Sequence, residues 1–147
     1  IVVELATGVG MSTMAFKRHP DPSFAPPRFR WVSPEELYAG AHLISLHCPA
    51  GARPVIDREA IAKMKKGVFL VNTARAGVVD EQAVLEALDS GKMAGYAVDV
   101  FAQEPPKDWK LAGHEKVIAT PHIGGFTEES VSRATEDAVR NILEVLK

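Results

Sequence analysis

The apolar positions of the chain fall into short runs separated by helical periods. Residues 43–48 (LISLHC), 68–73 (VFLVNT), 95–100 (GYAVDV) and 117–121 (VIATP) are runs of strand length, several of them nearly continuous in apolar residues. This is the pattern of parallel strands covered by helices on both faces. Residues 12–17 (STMAFK) and 29–32 (FRWV) add two further candidate strands. Helix signals stand between them. Ser33-Pro34-Glu35-Glu36 is a capping box with proline in the first turn, and Asp57, Asp80 and Thr127 offer side-chain oxygens to the helices that follow. Gly67 and Gly91 sit where left-handed residues end helices. In the last predicted helix Val131, Ala134, Ala138, Ile142 and Val145 share one stripe, with Glu128 and Glu129 at its positive end. Alternating strands and helices predict an α/β fold with a doubly wound parallel sheet. Residues 19–27 (HPDPSFAPP) read as a surface loop and not a domain linker, because strands resume beyond them.

Composition removes several function classes. A chain of 147 residues, 46% hydrophobic and 24% charged, has the balance of one globular domain. No apolar run approaches the roughly 20 residues of a membrane span. The 17 basic and 19 acidic side chains leave a net charge of -2, which gives no electrostatic reason to expect a nucleic-acid partner. Cys48 is the single cysteine, so no internal disulfide forms; a reducing, cytoplasmic location is the expectation. No signal-peptide pattern opens the chain, and its first residue is Ile1 rather than methionine, so the native protein is expected to begin upstream.

Ligands of open α/β sheets bind beyond the carboxyl ends of the strands. Polar residues gather at those ends: Lys17-Arg18-His19, His47-Cys48-Pro49, Thr73-Ala74-Arg75, Asp99 inside YAVDV, and His122 before Ile123-Gly124-Gly125. Singly, each has a plain structural reading. Arg75 can bind carbonyls or form a surface ion pair with Glu104, His122 can be a hydrogen-bonded structural histidine, and Cys48 a small buried hydrophobe. Lys17 and Arg18 can be solvated charges. Asp99 needs a partner, because an unpaired carboxylate in a buried strand costs several kcal/mol. The convergence of these groups on one sheet edge points to a site.

The stretches NTARAGVVDEQAVLEAL, YAVDVFAQEPP and VIATPHIGG, in that order and with LHCP before them, resemble the nucleotide-binding domain of the D-2-hydroxyacid dehydrogenases. The resemblance covers nearly the whole chain. It implies a Rossmann-like domain of an oxidoreductase that transfers a hydride between NAD(P)H and a small 2-oxo or D-2-hydroxy acid, of the glyoxylate/hydroxypyruvate reductase or phosphoglycerate dehydrogenase kind. It implies that Arg75 binds the substrate carboxylate, that Glu104 orients and charges the histidine, and that His122 is the acid/base. Cofactor contacts would fall on His47, Cys48 and Pro49 near the adenosine, on Thr73 and Ala74, on Asp99 at the nicotinamide amide, and on Gly124 and Gly125. A homodimer, common in the family, is implied as well; no metal is.

The chemistry asks for the same residue types. Hydride delivery to a 2-oxo acid builds negative charge on the carbonyl oxygen, which a protonated imidazole can neutralise. A neighbouring carboxylate favours the imidazolium. A guanidinium matches a carboxylate with two parallel bonds. For the cofactor, a carboxylate at the end of the second strand favours NAD, whereas a cation there accommodates a 2′-phosphate. That strand ends in Lys17-Arg18, with Asp21 arriving only after His19-Pro20, so NADP is expected to be favoured over NAD, with Arg18 as the main phosphate contact.

Departures from the family pattern are also legible. The opening strand and Gly-x-Gly-x-x-Gly turn are missing; Gly8-Val9-Gly10 reads as the tail of the helix that would follow that turn. The absent strand is the central one, so two strand edges should lack partners. The separate substrate domain has no counterpart either, which makes residues 1–147 a partial dinucleotide-binding domain. Ala76 stands where many relatives have glycine, and Ala50-Gly51-Ala52-Arg53 is a short loop. Two other readings stay open: a cofactor-sensing corepressor-like protein with the same fold and triad, and an inactive fragment.

Overall fold

The computed structural model describes residues 1–146. Along them follow α1 (Val2–Gly8), β1 (Thr13–Ala15), β2 (Phe29–Trp31), α2 (Pro34–Gly40), β3 (Leu43–Leu46), α3 (Arg58–Lys63), β4 (Val68–Asn72), α4 (Glu81–Asp89), β5 (Met93–Val98), β6 (Val117–Ala119) and α5 (Glu128–Val145). A single 3-10 turn, Ala76–Val78, joins β4 to α4.

The caps read from the sequence start the helices. The Ser33 hydroxyl accepts from the Glu36 amide while the Glu36 carboxylate accepts from the Ser33 amide, closing the box at α2. Asp57 accepts from the Ala60 amide at 2.8 Å, Asp80 from Ala83 at 3.1 Å and Thr127 from Ser130 at 3.1 Å. Gly91, with φ 71°, ends α4 as expected. Gly67 has φ 79°, yet α3 already stops at Met64, whose extended backbone buries its side chain in the core. Gly67 instead turns the chain into β4. Gly8-Val9-Gly10 does lie at a helix tail, that of α1.

All strand pairs are parallel. β3, β4, β5 and β6 form one sheet in that order, and β1 pairs with β2 in a second. Among the described residues β1 has no partner but β2, and β3 none but β4. The strands stop one or two residues earlier than the predicted runs.

Covering of the main sheet is one-sided. Ala60 and Ile61 of α3 and Ala83, Val84, Ala87 and Leu88 of α4 close a core over Ile44, Leu46, Val68, Leu70, Met93 and Val98. The alternate positions Leu43, Phe69 and Ile118 remain open to solvent, at 51%, 49% and 72% exposure. The two-sided cover suggested by continuous apolar runs is therefore not formed among the described residues, since α5 buries no residue and its stripe stays exposed.

This asymmetry has a direct test. Leu70→Ala should lower unfolding free energy by about 2–5 kcal/mol, while Ile118→Ala should stay within about 0.5 kcal/mol. Urea unfolding followed by circular dichroism measures both.

Candidate active site

Parallel register lines up the strand ends. Leu46 pairs with Asn72, Asn72 with Val98 and Val98 with Ala119, so the segments leaving these residues emerge along one edge: His47-Cys48-Pro49, Thr73-Ala74-Arg75, Asp99, and Thr120-Pro121-His122. The predicted site residues of the main sheet are carried by the loops just past its strands.

Asp99 stands one residue beyond β5 and is buried, at 5% exposure. Its Oδ1 accepts from the Thr120 hydroxyl at 2.5 Å and the Ile123 amide at 2.9 Å, and its Oδ2 accepts from the Gly124 amide at 2.9 Å. Burial alone would raise its pKa, but these three donors and the nearby His122 outweigh it and hold the carboxyl below its ordinary range. The partner that the buried charge requires is thus a turn. A Cβ on Gly124 would lie 2.9 Å from Oδ2, so only glycine lets the backbone approach the carboxylate this closely. Within the turn His122 has φ 55°, a left-handed conformation costly for a side-chain-bearing residue. Asp99 fixes the chain on both sides of it. A carboxylate has about four acceptor sites, so roughly one is left on Oδ2 for a further donor such as an amide.

Glu104 completes the histidine's setting. Its Oε2 lies 2.8 Å from His122 Nδ1 and its Oε1 accepts from the Phe101 amide at 2.9 Å. A carboxylate only accepts, so Nδ1 carries the proton and Nε2 is left for another partner. The bond from His122, then that from Phe101, hold the Glu104 carboxyl below its ordinary range. The loop is tied to α4 as well, because Glu81 accepts from the Ala102 amide at 2.8 Å.

Arg75 is exposed, and its Nη1 donates to the Ala74 carbonyl at 2.6 Å. It forms no ion pair with Glu104 among the described residues; the glutamate takes the histidine instead, which removes the simple surface-pair reading. Arg75, Glu104 and His122 line one open cleft of about 310 Å³, walled by Val100, Phe101 and Ala102.

Of the residues expected at a dinucleotide, those of the main sheet follow its strand ends. His47 is exposed with Nε2 2.9 Å from the Ser45 hydroxyl, Cys48 is half-buried and Pro49 exposed. Thr73 is exposed, while the Ala74 amide is taken by Asn72 Oδ1 at 3.1 Å. Gly125 borders open space. Lys17 and Arg18 lie past β1, in the second sheet, exposed and without an ion pair among the described residues. An acid with a spare acceptor site beside the histidine can take the amide of a ligand. Asn72, Thr120 and Glu81 escape a reading of the sequence. For Asn72 the available signal is an amide closing an otherwise apolar strand.

Residues 1–124 match the family model of the D-isomer specific 2-hydroxyacid dehydrogenase NAD binding domain. The chain is 37% identical over 147 residues to a hydroxypyruvate reductase of Blautia hydrogenotrophica, covering 98% of this chain and 46% of that protein. It is 44% identical over 115 residues to D-3-phosphoglycerate dehydrogenase of Bacillus subtilis, covering 77% and 22%. Among solved structures, the D-lactate dehydrogenase of Aquifex aeolicus complexed with NAD and lactic acid superposes with a TM-score of 0.91 at 30% identity, over 99% of this chain and 49% of that one. The chain thus spans about half or less of the length of these relatives.

The turn around His122 should respond to pH. Asp99 and Glu104 both have lowered pKa values, so the order they confer is present above the ordinary carboxylate range and lost as pH falls through and below it. Protection of the Ile123 and Gly124 amides against exchange should hold at neutral pH and be lost as pH falls below the ordinary carboxylate range. Asp99→Asn, which sets an NH2 group against an amide donor, should accelerate exchange at all pH values and cost about 1–3 kcal/mol of stability.

Proposed function

Because the chain belongs to the D-isomer specific 2-hydroxyacid dehydrogenases, within their NAD-binding domain, we propose that it is the cofactor-binding half of an oxidoreductase acting on a small 2-oxo or D-2-hydroxy acid. The observation that carries this reading is the 2.8 Å pair of His122 and Glu104, sharing one cleft with Arg75. Bound nicotinamide dinucleotide supplies or accepts the hydride. The residues of the chain do the rest. Arg75 binds the carboxylate of the acid with its planar fork and orients the adjacent carbonyl. His122, with Nδ1 bonded to Glu104, presents Nε2 to the carbonyl oxygen and gives it a proton as charge develops there; in the reverse direction it takes the hydroxyl proton. Glu104 stabilises the imidazolium between these steps. The apolar wall of Val100 and Phe101 limits water beside the reacting carbon.

The relatives named above act on different acids, so the substrate is proposed as a class, its side chain selected by walls outside these 147 residues. A homodimer in the cytoplasm belongs to the same reading. For the cofactor, Lys17 and Arg18 support NADP over NAD, and Asp21, the nearest acid, is engaged with the amide and hydroxyl of Ser23 at 2.9 and 2.6 Å.

In the full-length protein, His122→Asn should lower kcat by about 10² to 10⁴, and Arg75→Ala should act mainly on KM for glyoxylate or hydroxypyruvate. Nicotinamide absorbance follows both, and near-normal turnover of the histidine variant contradicts the assignment. In the same assay kcat/KM should be higher with NADPH than with NADH; an advantage for NADH overturns the cofactor preference.

A further inference from the structure

Asn72 and Asp99 are the buried polar residues among those described. Asp99 has its role at the histidine turn. Asn72, at 0% exposure, ends β4 in a row otherwise filled by Leu46, Val98 and Ala119. For packing alone an aliphatic side chain would serve better, since a buried amide is costly until both its ends are bonded. Both are. Oδ1 accepts from the Ala74 amide at 3.1 Å and Nδ2 donates to the Arg75 carbonyl at 3.0 Å. The main-chain carbonyl of Asn72 accepts from the Asp99 amide at 3.0 Å. One residue therefore joins the arginine turn to the strand that carries the histidine's anchor.

The guanidinium itself has little to hold it. Its bond among the described residues is to the Ala74 carbonyl, and no acid pairs with it. Its direction follows from the backbone of Ala74 and Arg75, and the Asn72 amide clamps both. We propose that Asn72 is a positioning residue for acid binding, fixing the path on which the Arg75 side chain leaves the end of β4. The proposal rests on the reading of Arg75 as the carboxylate binder. Burial pushes the Tyr96 phenol, in the core beside β4, up to about 12.

The test uses the full-length protein with Asn72→Asp, which keeps the acceptor for Ala74 but sets an anion against the Arg75 carbonyl. KM for glyoxylate should rise by about tenfold or more, while NADPH affinity, measured by fluorescence, stays within about threefold. The ratio of KM to that of the unmutated protein, taken at each pH, should fall as pH drops from about 8 to 5.5, because a buried acid protonates early and its OH restores the donor. Should Asn72→Asp not fold, Asn72→Ser puts one shorter hydroxyl in place of the two-ended amide that spans Ala74 and Arg75, and should raise KM with cofactor affinity retained. A KM within about twofold of normal, or cofactor affinity falling in parallel with KM, overturns the proposal. Arg75→Ala is the control: if it leaves KM unchanged, the reading of Arg75 fails and the proposal with it.

Discussion

The site depends on one buried charge. Asp99 brings a carboxylate out of water at the end of β5, and the cost is offset only because three donors converge on it from a single turn. The same three bonds hold His122 in a left-handed backbone conformation it would not adopt by preference. Burial of the acid and strain at the histidine are two sides of one arrangement. Around it the main sheet acts as a ruler: parallel register sets Leu46, Asn72, Val98 and Ala119 in a row, so the loops that follow begin at one level.

From that base the site divides into a fixed part and an open part. The imidazole is fixed: its turn is stapled by Asp99, its Nδ1 is held by Glu104, and Glu104 is held by the Phe101 amide. The guanidinium of Arg75 is exposed and unpaired with any acid among the described residues. Under the proposed function, the group that transfers a proton is constrained against alternatives, whereas the group that receives a charged ligand is kept without a competing anion. This division explains why Arg75 and Glu104 do not simply neutralise each other across the cleft they share.

Much of this was legible in the chain. Ser33, Asp57, Asp80 and Thr127 cap helices by local rules, so those starts could be read directly, and the apolar runs located all six strands. Arg75, Glu104 and His122 were readable as a set because their motifs follow in order. What local patterns could not supply was tertiary. Continuous apolar runs implied helices on both sheet faces, but exposure of Leu43, Phe69 and Ile118 depends on where α5 goes, which its own stripe does not encode. Asn72 reads as the polar end of a strand until the fold closes the Ala74-Arg75 turn over it. Gly67 has the left-handed backbone expected of it, yet Met64 ends the helix first.

The central claim is that the Arg75 guanidinium and His122 Nε2 serve the same small acid beside the dinucleotide. A crystal structure of the full-length protein with nicotinamide cofactor and oxamate, an unreactive 2-oxo acid analogue, tests it most directly. The account predicts the oxamate carboxylate on the Arg75 fork and its keto-like oxygen about 2.6–3.2 Å from His122 Nε2, with Glu104 still on Nδ1. Oxamate bound away from this cleft, or an imidazole turned from Glu104 in the complex, would contradict it.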